Sequence, residues 1–351
     1  MQPSKNGGNK LITIYDIARE AGVSPATVSR VLTNSVRVRA EKREKVLELV
    51  EKYNFRPNAL ARSLSDTRSK TIGILAADVR NPYYAELFVA CEQAARDAGY
   101  TVLLANTLGE IQREQYLLEK LLEQRVDALI QFGGSVDALQ SDSDYVERIN
   151  RAMVHTPVVV TGKLEGTDCR MVRIDSTRAL ELLMDHLLGL GHKRIALVGG
   201  RMNVLATNMK FKRYKEILEE HKIPYDPALV ARDGEYNMES GYQLMNEMLE
   251  QKISFTAVVA VNDFAAAGIM RSIAEHGLRI PADISVVSYD NTYIAQVMIP
   301  RLTSVDYHYE EFGQKLVDTA IDLIEGRETT SLQTVTPQLV VRESSGASRR
   351  K

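Results

Sequence analysis

The residues from Ser24 to Arg30 have the types and spacing that would contact the edges of DNA bases. Ser24 is a typical helix cap, and Pro25 suits the first helical position, where a missing N–H costs nothing. Val28 turns inward. The exposed start of this helix therefore carries five residues: Pro25, Ala26, Thr27, Ser29 and Arg30. In a helix–turn–helix, the second helix places such residues in the major groove.

Two further helices are predicted to position this one. The first covers residues 14–21 and ends at Gly22, in a conformation that only glycine adopts cheaply. The third covers residues 40–53 and packs through Val46, Leu49 and Val50, and Pro57 prevents it from continuing. The pattern predicts a helix–turn–helix domain over residues 11–56. A three-helix bundle that binds protein is the alternative.

Charge is distributed unevenly along the 351 residues. Residues 1–70 contain 14 lysines and arginines against 7 aspartates and glutamates, although the whole chain has a formal net charge of −2. The remainder of the chain is therefore acidic. A small basic head on a larger acidic body indicates a polyanionic partner for the head alone. Charge and turn residues together favour DNA over protein as that partner.

From Thr71 onward, short apolar runs alternate with longer amphipathic stretches. The runs are 71–77, 101–105, 126–132, 157–161, 171–174, 194–198, 256–261 and 284–289. The helical stretches are 83–98, 112–124, 177–190, 211–221, 240–251 and 264–276. Such alternation is typical of an α/β fold with doubly wound parallel sheets. The strands are too many for one such sheet, so we expect two lobes and a ligand at the carboxyl ends of the strands.

The sequence contains no enzyme, metal or membrane signature. Phosphate-loop, zinc-protease and serine-hydrolase motifs are missing, and the six histidines lack ligand spacing. Two cysteines, Cys91 and Cys169, are too few for a disulfide framework. We therefore expect no catalytic residue, no metal and no cofactor. No apolar run is long enough to span a membrane, and the polar segment 1–10 precedes no signal-like region, which predicts a cytoplasmic protein.

Motifs in a consistent order run along nearly the whole chain and carry a family resemblance. In the head they are T-I-Y-D-I-A at 13–18, A-G-V-S at 21–24, T-V-S-R-V-L at 27–32 and Y-N-F-R-P-N at 53–58. In the body they are N-P-Y-Y at 81–84, G-H-K-R-I-A at 191–196, N-D at 262–263, G-L-R-I-P at 277–281, D-I-S-V-V at 283–287 and L-T-S-V at 302–305. The chain resembles the LacI/GalR family of bacterial repressors.

The resemblance implies a helix–turn–helix head and a two-lobed body like a periplasmic binding protein. We expect a flexible tail at 1–10, the head at 11–56, a hinge helix and linker at 57–70, the body at 71–342 and a frayed tail at 343–351. The first lobe would take about 71–172 and 304–335. The second lobe would take about 173–303 and 336–342.

The resemblance also implies roles in the head. Pro25, Ala26 and Arg30 fall where the family reads bases, and the fork of Arg30 matches the O6 and N7 atoms of guanine. Thr27 and Ser29 would bind phosphates. The residues expected to contact DNA are Tyr15, Ser24, Pro25, Ala26, Thr27, Ser29, Arg30, Asn58, Ala61 and Leu64. Arg39 departs from the family, since many relatives have a Ser or Thr helix cap there.

Residues 58–64 resemble the hinge helix of the family. So short a helix is marginal alone in water. In the family two such helices pair on DNA, and a leucine enters the minor groove at the position of Leu64. Unstacking a base step costs a few kcal/mol and yields a bent, better-wrapped duplex. A flexible linker is the alternative.

The resemblance places an effector site in the body. Its expected residues are Tyr83, Tyr84, Lys210, Tyr236, Asn262 and Asp290. The tyrosines would contact faces of a polar ligand, and Asn262 and Asp290 would bond its hydroxyls. Each residue has a structural alternative, because the tyrosines could be packing residues and Asn262 and Asp290 could be helix caps or turn formers.

Lys210 marks the main departure from the family, because relatives that bind free sugars have an arginine there and a glycine at the position of Arg213. Lysine cannot form the bidentate fork of arginine. Three interpretations remain open. Lys210, Lys212 and Arg213 could bind an anionic ligand such as a sugar phosphate, a weak pocket could leave regulation to a protein co-repressor, or the helix face could simply be solvated.

The resemblance therefore implies a homodimeric, sequence-specific transcriptional regulator, a repressor of carbohydrate-related genes. It would bind a pseudo-palindromic double-stranded DNA operator, and a small-molecule effector between the lobes would control operator affinity. The alternatives are a sugar solute-binding protein, which the head argues against, and an enzyme on a flavodoxin-like sheet, which the lack of catalytic groups argues against.

Overall fold

The computed structural model describes residues 12–33, 38–55 and 68–348. They belong to two compact units, Met1–Ser69 and Lys70–Lys351. The predicted tail at 1–10 and the predicted hinge helix with Asn58, Ala61 and Leu64 lie outside the described residues. The fold class is the predicted one, with a helix–turn–helix head and an α/β body built on two six-stranded, mainly parallel sheets.

Three helices form the described part of the head: α1 (Ile14–Ala21), α2 (Pro25–Thr33) and α3 (Ala40–Lys52). Thr13 and Asp16 form a capping box at the start of α1, and Gly22 ends it with a φ of 68°. Arg39 precedes α3 without a side-chain cap. Ile17, Val28 and Val46, one from each helix, are fully buried and form the centre of the core.

The first sheet of the body contains β1 (Thr71–Ala76), β2 (Thr101–Asn106), β3 (Ala128–Phe132), β4 (Val158–Val160), β5 (Arg170–Ile174) and β11 (Leu332–Val335). Their order is β11-β5-β4-β3-β1-β2, and every pair is parallel. Its helices are α4 (Pro82–Asp97), α5 (Ile111–Glu123), α6 (Ser143–Met153) and α12 (Tyr309–Ile324). A 3-10 turn at Gly134–Asp137 follows β3.

The second sheet contains β6 (Ile195–Val198), β7 (Val230–Ala231), β8 (Ala257–Ala260), β9 (Ser285–Asp290), β10 (Thr303–Asp306) and β12 (Gln338–Val340). Their order is β12-β10-β9-β8-β6-β7, and β12 alone among them is antiparallel to its neighbour. Its helices are α7 (Ser176–Gly189), α8 (Leu205–Glu220), α9 (Met238–Glu250), α10 (Asp263–Glu275) and α11 (Tyr293–Val297). None of the helices in the described ranges has the length and apolar character needed to cross a membrane.

The chain passes between the two lobes three times, after β5, after β10 and after β11. The predicted lobe bounds are wrong at β10. We expected residues 304–335, which include most of β10, in the first lobe. β10 pairs with β9 and β12 in the second sheet. The run from Leu302 to Val305 has only two apolar residues, although all four are buried, so its sequence does not reveal which sheet receives it.

The predicted frayed tail is wrong for residues 344–346, because they are packed against the second lobe. Ser344 is fully buried, and its hydroxyl accepts from Thr303 N at 2.8 Å and donates to Val286 O at 2.6 Å. His192 Nε2 lies 2.9 Å from the carbonyl oxygen of Gly346. Serine and glycine indicated a loop correctly, but a loop can still be held by hydrogen bonds.

Candidate functional site

The start of α2 is the candidate DNA-reading surface. Ser24 caps it, since its hydroxyl accepts from Thr27 N at 3.2 Å and lies 2.9 Å from Thr27 Oγ1. Ala26 and Arg30 are exposed, and Pro25, Thr27 and Ser29 are half-buried. Tyr15 on α1 is also exposed. These described residues therefore lie on accessible surface, as contact with a groove requires, and their roles in DNA binding stay a prediction.

A cavity of about 300 Å³ lies between the two lobes, beside the carboxyl ends of their strands. Six of its lining residues are those expected from the sequence: Tyr83, Tyr84, Lys210, Tyr236, Asn262 and Asp290. They come from five elements or loops of both lobes. A ligand in this cavity would therefore contact both lobes at once.

Tyrosines form the wall on the first lobe. Tyr83 and Tyr84 lie in the first turn of α4, which Asn81 caps by accepting from Tyr83 N at 3.1 Å. Their ring centroids are 4.9 Å apart, and Tyr84 stacks on Phe132 at 6.1 Å. Burial raises the pKa of both phenols well above the usual value, so both stay protonated hydroxyls. The wall offers aromatic faces and neutral donors to a polar ligand.

A desolvated base and acid face the cavity from the second lobe. Burial lowers the pKa of Lys210 to about 8, and the nearby Asp290 opposes this shift. Burial and the charge of Asp263 raise the pKa of Asp290 well above the ordinary value. Lys210 Nζ lies 3.5 Å from the ring centroid of Tyr289. Such a donor and acceptor in one cavity suit a ligand hydroxyl that accepts from one and donates to the other.

Asp290 is held in an uncommon backbone conformation, with a φ of 96°. The neighbouring segment is fixed by Asp263, which is fully buried. The Asp263 carboxylate accepts from Ser304 Oγ at 2.7 Å, from Thr292 N at 2.7 Å and from the Ser288 hydroxyl. Backbone strain of this kind persists only where surrounding bonds enforce it, and it clusters at functional sites.

Tyr236 and Asn262 are linked to each other and to the fold. Tyr236 OH lies 2.8 Å from Thr207 Oγ1, and Asn262 Nδ2 donates to Tyr236 O at 3.2 Å. Asn262 Oδ1 caps α10 by accepting from Ala265 N at 2.8 Å. The helix-cap alternative therefore applies to Asn262, which retains one amide hydrogen for a ligand.

Comparisons with known proteins agree with this architecture. Residues 13–58 match the model of bacterial regulatory proteins, lacI family, and residues 184–345 match a periplasmic binding protein-like domain. Catabolite control protein A of Priestia megaterium is 34% identical over 296 residues, which are 84% of this chain and 87% of that protein. The HTH-type transcriptional repressor PurR of Haemophilus influenzae is 30% identical over 338 residues, 95% of this chain and 98% of that one. The chain belongs to the lacI family.

Solved structures of the lacI family are similar over almost the full length. The lac repressor dimer bound to operator and the anti-inducer ONPF has a TM-score of 0.85 at 29% identity, covering 96% of this chain and 100% of that one. The regulator CelR in complex with cellobiose has a TM-score of 0.71 at 27% identity, covering 95% and 99%. As a lacI family member the chain is a DNA-binding transcriptional regulator with an effector-binding domain, and not an enzyme.

The predicted basic cluster of Lys210, Lys212 and Arg213 does not form. Arg213 turns to α7 and to the end of its own helix, where it binds Glu181 at 2.9 Å and Glu220 at 2.6 Å. The Lys212 side chain is 82% exposed. Only Lys210 of the three lines the cavity. Each residue of an α-helix turns the chain by about 100°, so Lys210 and Lys212 lie on nearly opposite faces. One face therefore cannot hold all three residues.

Sequence reasoning missed several charged residues of the cavity, of which Asp137, Arg173 and Arg201 are the clearest. Asp137 and Arg201 each follow a glycine pair at the end of a strand, Gly133–Gly134 and Gly199–Gly200. All four glycines have φ between 70° and 95°. A glycine pair that ends a strand in each lobe is the signal that would have found them.

Asp137 should make stability depend on pH. Burial and the nearby Glu114 raise its pKa to about 6, against the opposing charge of Arg201. The folded state therefore binds this proton more tightly than the unfolded state, and the free energy of unfolding falls as pH rises from about 4 to 6. Asp137→Asn should therefore raise the free energy of unfolding at pH 7 by at most about 3 kcal/mol and change it little at pH 4. Urea titrations of both proteins at the two pH values measure this difference, and parallel pH curves would contradict it.

Proposed function

We propose that the chain is an effector-controlled repressor of carbohydrate-related genes that works in the cytoplasm, where its DNA partner lies. Two heads of a dimer would read a pseudo-palindromic operator. The observation that carries the proposal is the cavity of about 300 Å³ between two lobes that the chain joins three times. A ligand that contacts both lobes changes the relative stability of the open and closed arrangements of the body. Control of operator affinity by a ligand requires such a change.

The chemistry of the cavity supports a polyhydroxylated effector. Tyrosine faces suit the apolar faces of a sugar ring, and Lys210 and Asp290 supply a donor and an acceptor for adjacent hydroxyls. The similar CelR structure contains cellobiose, and a similar lacI family regulator from Enterococcus faecium contains ribose. We propose a sugar or a sugar phosphate as the effector of this chain, with Tyr83, Tyr84, Lys210, Tyr236, Asn262 and Asp290 among its contacts.

A ligand screen followed by a DNA-binding assay tests this function. Sugars, sugar phosphates and nucleobases are added to the full-length protein, and the shift in thermal unfolding is measured. Duplexes selected from a randomised library are then tested by gel shift at stated salt, with and without each positive compound. We expect one sugar class to raise the unfolding temperature and to change operator affinity. A protein with no sequence-selective binding would contradict the repressor function, and a response to no small molecule would favour a protein co-repressor.

The dimer offers a second test. Tyr293, Val297 and Ile299 form an exposed apolar strip after β9, and Ile299 is 95% exposed. We propose that a second copy covers this strip, since patches of this kind mark interfaces. Ile299→Arg should shift the protein from dimer to monomer in analytical ultracentrifugation and weaken operator binding. Val154→Arg, at another exposed apolar position, is the matched control and should stay dimeric. Dimers of equal stability in both variants would exclude this location.

A further inference from the structure

Two backbone segments, one from each lobe, are joined directly across the cleft. The first follows the 3-10 turn of the first lobe, and the second precedes α8 in the second lobe. Leu139 N donates to Asn203 O at 2.7 Å. Ala138 and Val204 form an isolated antiparallel bridge at the same place. This link is not covalent, unlike the three passages of the chain between the lobes.

The same segments line the ligand cavity. Asp137 lies next to the bridge on the first lobe, and on the second lobe Val204 belongs to the bridge and Arg201 precedes it by three residues. Arg201 Nε is buried and has no hydrogen-bond partner among the described residues, and the nearest carboxylate contact of Arg201 is Glu235 at 3.7 Å. The Asp137 carboxyl is half-buried and lines the same cavity. A buried polar group without a partner is costly, and a ligand that supplies one is bound more tightly for it.

We propose that residues 137–139 and 201–204 form a latch, in which a ligand bound between Asp137 and Arg201 keeps the lobes closed through the bridge between Ala138 and Val204. This rests on the proposed function, because it concerns the regulation of the same cavity. A single backbone hydrogen bond changes an equilibrium by about an order of magnitude at most. The latch alone is thus weak enough to open for ligand exchange, and a ligand that binds both sides of it shifts the population to the closed state.

A reversible cross-link tests the latch. Residues directly opposed in an antiparallel bridge have Cα atoms about 4.5–5.5 Å apart, which lies within the range that a disulfide spans. The double variant Ala138→Cys with Val204→Cys is oxidised with glutathione disulfide, and free thiols are then counted after unfolding. We expect the pair to cross-link in most molecules. The single variants, which retain the native Cys91 and Cys169, are the controls and should lose no thiol pair. A pair that stays reduced overturns the latch.

DNA affinity then shows whether the latch regulates. Oxidised and reduced forms are compared on a duplex selected from the randomised library. We expect the dissociation constant to change at least tenfold on oxidation and to return on addition of dithiothreitol. Leu139→Pro removes the donating N–H after an extended Ala138, which tolerates a following proline. It should change affinity in the opposite direction to the cross-link.

Equal affinity of the oxidised and reduced forms, or a change of the same sign in Leu139→Pro, overturns the regulatory role. If the unmodified protein shows no sequence-selective DNA binding, the proposed function itself is contradicted. The cross-link is measured without DNA. Failure of the proposed function can therefore be distinguished from failure of the latch.

Discussion

Replacement of Arg30 by alanine should weaken binding to the operator by about 1–3 kcal/mol and relax the base preference at one position in each half-site. Arg30 is exposed on α2, and Val28 and Val31 on the other side of the same helix are buried in the head core. The substitution therefore removes a base contact without opening the core. The measurement is a gel-shift titration on the selected operator and on its single-base variants, at fixed salt.

Arg39→Ala is the matched control for Arg30→Ala, because it removes an equal charge from the same head. Arg39 is exposed at the start of α3 and its side chain makes no cap hydrogen bond. A phosphate contact there carries no sequence information, so operator and random duplexes should weaken alike and the salt dependence should fall by about one unit. If Arg30→Ala weakens both kinds of DNA equally, as a phosphate contact does, the base-reading role is wrong.

Gly268→Ala should lower the free energy of unfolding of the body by about 3 kcal/mol. α9 and α10 approach so closely that a Cβ at Gly268 would fall well inside the contact distance of the Met238 carbonyl oxygen and lie 2.7 Å from Tyr242 N. Backbone atoms cannot move aside as side-chain ends can. Overpacking costs about 1–3 kcal/mol and occasionally more, which exceeds the gain of at most about 1 kcal/mol from replacing glycine in a helix. Denaturant titration measures the shift of the midpoint.

Gly189→Ala is the control for the same chemical change in open space. Gly189 is the last residue of α7, it is exposed, and no atom lies within 4 Å of a Cβ built there. The body should keep its stability or gain up to about 1 kcal/mol. A similar loss in both variants would mean that the glycine contact between α9 and α10 is not the cause.

The sequence predicted most of the architecture because local patterns determine it. Gly22, Ser24 and Pro25 have turn and cap preferences that few other conformations satisfy, and the apolar runs of the body are separated by amphipathic stretches of helical period. The start of α8 was missed by six residues, since the segment from Leu205 to Lys210 has no cap and little apolar periodicity. Contacts with residues distant in sequence, such as Thr207 with Tyr236 and Lys210 with the ring of Tyr289, hold that turn in place.

The cavity could be predicted only in part. The six expected residues came from the family resemblance, supported for Asn262 and Asp290 by their place at strand ends, where α/β folds bind ligands, and all six line the cavity. Arg213 was misplaced because its acidic partner Glu181 is distant in sequence and adjacent only in the fold. Asp137 and Arg201 belong to different lobes. The sequence around either residue contains no pattern that predicts its position opposite the other across the cleft.

The topology of the body also has a consequence for synthesis on the ribosome. β11 and β12 are edge strands of the first and second sheets, and both come from residues 332–340. Neither sheet can acquire its last strand until almost the whole polypeptide has emerged, so both lobes should complete their folding together and late. Premature termination before residue 332 would leave two unpaired sheet edges at once, and such edges promote aggregation.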